Sequence, residues 1–74
     1  MVYVYIESHT EIRDGQIKKW CGWTIAYDDV RVPSDRTIKR VAGPFNGQAA
    51  CDEWINTEGI KISGGKRRGQ EWEC

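Results

Sequence analysis

The sequence predicts an α+β fold: a three-stranded antiparallel sheet, four-stranded if a short stretch after the helix joins it, with one helix packed on one face. Three observations lead there. Asp14-Gly15 is a two-residue turn signal between two alternating apolar runs. Ala50, Cys51, Trp54 and Ile55 recur at helical spacing. A chain of 74 residues has room for one thin core, because only about 60% of the unfolded surface is buried at that size.

The hairpin comes first, and its register follows from the turn. With Asp14 and Gly15 as turn residues, Arg13 faces Gln16, Ile12 faces Ile17, Glu11 faces Lys18, His9 faces Trp20, Ile6 faces Trp23, Val4 faces Ile25 and Val2 faces Tyr27. Side chains alternate across a strand, so two faces separate. Val2, Val4, Ile6 and Ile12 fall with Ile17, Cys21, Trp23, Ile25 and Tyr27 on the face that takes the helix. Tyr3, Tyr5, Glu7, His9 and Glu11 fall with Lys18 and Trp20 on the other. Gly22 interrupts the second strand and marks a place for a bulge, which would turn Trp20 or Trp23 to the opposite face.

Pro33-Ser34-Asp35 closes a longer connection, after which a third strand, Arg36 to Ala42, is expected to pair with the second. Gly43-Pro44 stops that strand. Asn46 is a suitable N-cap and Phe45 can staple onto Ala50. The helix then runs about eleven residues to Gly59, with Trp54 and Ile55 expected near Val4, Ile6, Trp23 and Ile25. Ile60-Lys61-Ile62 alternates and is the candidate added strand. Residues 1–62 therefore form the α+β domain and 63–74 a polar tail, in which Trp72 is the residue that would dock on the domain or on a partner.

Eleven basic and eleven acidic residues leave no net charge, hence no general attraction to nucleic acid or to an anionic membrane. No stretch reaches the roughly 20 apolar residues that span a bilayer. Cys21, Cys51 and Cys74 are odd in number and lack metal-site spacing, so no disulfide and no metal are expected. Three free thiols suit a reducing, cytoplasmic setting, with Cys21 and Cys51 in the core and Cys74 exposed.

The middle strand with Trp20 and Trp23, followed by Ala42-Gly43-Pro44-Phe45 leading into Ala49-Ala50-Cys51-Asp52-Glu53-Trp54, resembles AP2-type and integrase arm-type DNA-binding domains over about residues 16–57. That resemblance implies a sheet face that reads DNA. Size, neutrality and plan are also similar in type to small phage-encoded inhibitors, including some anti-CRISPR proteins.

No catalytic set is legible. His9 is the only histidine and stands opposite Trp20 without a nucleophile. Asp28, Asp29 and Asp35 flank a turn without calcium-loop spacing, and Gly64-Gly65-Lys66 lacks the rest of a phosphate loop. The expectation is a non-enzymatic protein-binding module without a cofactor, a phage or mobile-element inhibitor or adaptor that occupies a host protein or nucleoprotein. Tyr3, Tyr5, His9, Lys18 and Trp20 would form its contact face. Self-association of that face into a homodimer is a variant. The alternative is nucleic-acid binding, with Arg36, Lys39, Arg40, Lys66, Arg67 and Arg68 on phosphates.

Overall fold

The computed structural model describes residues 1–74. β1 (Val2–Arg13) and β2 (Gln16–Ala26) form the hairpin in the register derived above, from Arg13 opposite Gln16 to Val4 opposite Ile25. At the turn Asp14 has φ 52° and Gly15 φ 75°. Positive φ at both turn residues matches the twist of the flanking strands, which is why Asp-Gly serves here. The pairing passes through Gly22 without a bulge, so Trp20 stays on the outer face and Trp23 on the inner.

β3 (Arg36–Phe45) corrects the expected order. It pairs with β1, not β2, placing His9 opposite Arg36, Glu7 opposite Ile38 and Tyr5 opposite Arg40. β2 and β3 therefore run parallel on either side of β1, and residues 27–35 must cross β1 to connect them. They start across the outer face, where the Tyr5 hydroxyl donates to the Tyr27 carbonyl at 2.9 Å and Arg40 pairs with Asp28.

The helix is longer than the sequence predicts. α1 (Gln48–Trp54), a π-helical turn (Ile55–Gly59) and α2 (Ile60–Ser63) run on as one helix of 16 residues. Its N-cap is Gly47, in extended backbone with no side-chain cap bond, rather than Asn46. Gly59 does not stop it, and Ile60-Lys61-Ile62 is helical rather than a strand. A Cβ on Gly59 would sit 3.0 Å from Cζ2 of Trp23, so this glycine lets the helix backbone close onto the indole. Packing on the sheet then outweighs the low helix propensity of glycine, roughly 1 kcal/mol. Within the widened turn Thr57 donates back to the Glu53 carbonyl at 2.9 Å. The helix ends at Gly64, whose φ of 68° is left-handed.

Residues 63–74, read from the sequence as a polar tail, return to the sheet. β4 (Glu71–Glu73) pairs with β2, setting Trp72 opposite Cys21, and the sheet order is β3-β1-β2-β4. Trp72 thus points to the inner face and packs on Trp23, ring centroids 5.2 Å apart. The register brings Cys74 beside Cys21, and the two form a disulfide with Cα atoms 5.8 Å apart. This overturns the expectation of three free thiols. Only Cys51 is free, buried in the core.

That core lies between helix and inner face. Val4, Cys51 and Ile55 are fully buried, Trp23 is nearly so, and Val2, Ile6, Ile25, Phe45, Trp54 and Trp72 close around them. Trp54 meets Trp23 edge-on at 5.9 Å, and the Trp23 indole N–H donates to the Lys66 carbonyl at 3.0 Å. Only nine of 74 residues are buried, so a few contacts and the disulfide carry the fold. No helix is long and apolar enough to cross a membrane.

Candidate partner-binding surfaces

The predicted aromatic face is largely occupied by the protein's own side chains. Tyr5 is only 4% exposed, its hydroxyl donating to Tyr27 and accepting from Arg40 Nη2 at 3.3 Å. Tyr3 is half-buried under the same guanidinium, 3.9 Å from its ring centroid. The guanidinium of Arg13 lies 4.5 Å over the ring of Trp20, whose indole N–H is buried without an acceptor. His9 Nε2 is 2.9 Å from Glu11 Oε1, and Arg13 Nε donates to the other Glu11 oxygen at 2.5 Å. The hydrogen bond from His9, then that from Arg13, holds the Glu11 carboxyl below the usual range. Lys18 faces Glu11 across the hairpin and is half-buried. Three of the five predicted contact residues, His9, Lys18 and Trp20, thus sit in one region with Arg13, while Tyr3 lies with Arg40 and Tyr5 toward the other end of β1 and Tyr5 belongs to the interior.

Gly22 leaves a dent in this face of about 250 Å³, lined by Glu7, His9, Thr24, Arg36, Gln70 and Glu71 among others. Several of its polar groups are engaged with one another: Arg36 donates to Glu7 at 2.6 Å and Thr24 to the same carboxylate at 3.4 Å. No cluster of three or more His, Cys, Asp or Glu side chains is arranged to hold a metal ion.

A more prominent surface comes from the length of the hairpin. β3 pairs with β1 only as far as His9, and β4 with β2 only as far as Trp20. Beyond Thr10 and Lys19 the hairpin continues as a bare two-stranded arm. Ile12 and Ile17 face each other on it, and each is 76% exposed. Sequence periodicity assigns both to the inner face, which is correct for direction; the helix does not reach that far. At the opposite end, exposed Met1 and Tyr27 join Val2, Ile25 and Val30 around an open hollow of about 520 Å³.

The six basic residues singled out from the sequence do not converge. Arg36 and Arg40 lie on the outer face, bound to Glu7 and Asp28. Lys39 is opposite Ile6, on the inner side of β3. Lys66, Arg67 and Arg68 follow the helix, where Arg68 grips both Asp52 oxygens at 2.8 and 2.9 Å. Lys39, Lys66 and Arg67 form no ion pair; Lys66 and Arg67 are neighbours after the helix, and Lys39 stands apart from them on β3.

Compared with known proteins, the chain matches no family model, no curated protein and no solved structure. The plan behind the resemblance to AP2-type and integrase arm-type domains put the tryptophan-bearing strand next to the one leading into the helix; here β1 separates them.

Proposed function

We propose that this chain is a non-enzymatic protein-binding module of inhibitor or adaptor type, and that the arm beyond Thr10 and Lys19 is its principal contact element. The observation that carries this is the facing pair Ile12 and Ile17, 76% exposed on a projecting hairpin. Two isoleucines left in water there add almost nothing to folding. Covering them on a partner is worth about 1.5–3 kcal/mol each. The Arg13–Glu11–His9 chain of contacts stiffens the base of the arm, which lowers the entropy lost on docking. By analogy of size, neutrality and plan the module is of the phage or mobile-element kind, directed at a host protein.

The nucleic-acid alternative has less support, since the arginines on the outer face are neutralised by carboxylates and, of the six basic residues, only the adjacent Lys66 and Arg67 stand together without an ion pair. Titration with short oligonucleotides at low and high salt should show no steeply salt-dependent binding. The cytoplasmic setting lost its basis with the free thiols, because disulfides persist in oxidising surroundings; in a reducing compartment the chain would work in its dithiol form.

The arm is tested by placing a photo-crosslinking residue at position 12 or, as control, at exposed position 53, in the producing cell. A discrete adduct is expected from 12 and not from 53. The Ile12→Ser/Ile17→Ser variant should keep the parent's thermal midpoint and lose that partner by about tenfold or more in Kd, the scale of one or two hot-spot residues. No adduct at 12, or unchanged affinity in the variant, would remove the arm from the interface.

A further inference from the structure

We propose that Cys21–Cys74 is a redox latch: it holds residues 71–74 on the edge of β2, and its reduction frees that strand to swing about Gly69, uncovering the β2 edge and one face of Trp23. This goes beyond the arm-binding reading and does not depend on it.

The segment after the helix is held in two unequal parts. Up to Arg68 it is anchored without the disulfide. Lys66 offers its carbonyl to both Trp23 Nε1 at 3.0 Å and Ser63 Oγ at 2.6 Å, and Arg68 binds Asp52 with two hydrogen bonds. Beyond Gly69, whose φ of 90° is one that only glycine adopts freely, the support is slight. β4 has three residues and meets β2 at three register positions. Glu71 and Glu73 are exposed and form no ion pair. The Cys74 N–H reaches the Lys19 carbonyl at 3.1 Å, and half-buried Trp72 packs on Trp23. A three-residue edge strand is too short to hold itself in place against the entropy of its own ordering. The covalent bond supplies the constraint.

The bond can be reached and reset. Cys74 is exposed, so a thiolate from solvent has an approach to its sulfur. A dithiol reductant attacks one sulfur, forms a mixed disulfide, and closes on itself as a cyclic disulfide. Two electrons and two protons pass to Cys21 and Cys74, which become thiols. Cys51 does not compete for either sulfur, since it is fully buried within the core cluster. With β4 gone, backbone groups of Trp20 to Gly22 lose their partners. The reduced form thus exposes a strand edge and an indole face that the oxidised form keeps covered with its own Glu-Trp-Glu-Cys.

Amide hydrogen exchange of the whole chain before and after dithiothreitol tests this. On reduction, amides of residues 72–74 should lose their protection, while those of β1 paired to β3 stay protected, their exchange rising by no more than the loss of global stability accounts for. The Cys74→Ser variant in air should reproduce the reduced pattern. Retained protection of β4 in the reduced chain would overturn the latch. So would loss of protection across the whole sheet, in the reduced chain or the variant, since the bond would then be a structural staple without a separable strand.

Discussion

Trp23 is the residue on which the inner face closes, and every neighbour constrains it: Trp54 at its edge, Trp72 across its face, Lys66 at its nitrogen and the bare backbone of Gly59 beneath. Placing alanine at 59 therefore sets two effects against each other. Alanine improves helix propensity by roughly 1 kcal/mol, whereas its Cβ lies 3.0 Å from Cζ2 of an indole that has no free direction to move. Overpacking of this kind costs about 1–3 kcal/mol, so Gly59→Ala should destabilise the protein slightly in urea unfolding. A stabilised variant would mean that the indole yields. Reading Gly59 as a helix stop was reasonable from propensity alone; what makes it a packing glycine is a tryptophan 36 positions earlier, and only the assembled core brings the two together.

The hairpin was the most legible element, because turn chemistry and alternation fixed the same register independently, and all pairs from Arg13–Gln16 to Val4–Ile25 followed. Its projection was legible too, had lengths been compared: twelve strand residues span about 40 Å, while a helix of the expected size covers less than half of that. The 43 Å long axis of the molecule reflects it. The side on which β3 returns was not legible, since residues 27–35 serve equally as a loose hairpin loop or as a crossover, and both hairpin edges offer free backbone groups. At the base of the arm the His9–Glu11–Arg13 contacts predict a pH effect. Glu11 is held below its ordinary range by hydrogen bonds from His9 and then Arg13, so the folded arm binds its proton less readily than the unfolded chain. The associated stabilisation is present above the ordinary glutamate value of about 4.3 and is lost as pH falls through the lowered one. The methyl resonances of Ile12 and Ile17 should move toward random-coil positions over that acid range. Glu11→Gln should flatten the response, and an identical profile in that variant would show that Glu11 does not tether the arm.

For the molecule as a whole, the decisive contact was invisible in composition. Three cysteines without a motif argue for free thiols, and Cys21 meets Cys74 only because β4 lies beside β2 across a separation of 53 residues. Trp72 was the one sign that the tail docks. Closing so long a loop takes more entropy from the unfolded chain than from the folded one, by about 4 kcal/mol in the chain-entropy model and commonly 2–4 in practice. With nine residues buried, that is a large part of the stability available to a domain this small. The Cys21→Ser/Cys74→Ser variant should therefore unfold at markedly lower denaturant, by about 2–4 kcal/mol, with core amides such as those of Val4 and Ile6 still protected in water. The parent should carry one free thiol when denatured without reductant and three when denatured with it. Equal stability of parent and double variant would assign the constraint to Trp72 alone, and three free thiols in the denatured parent would show that the bond does not form.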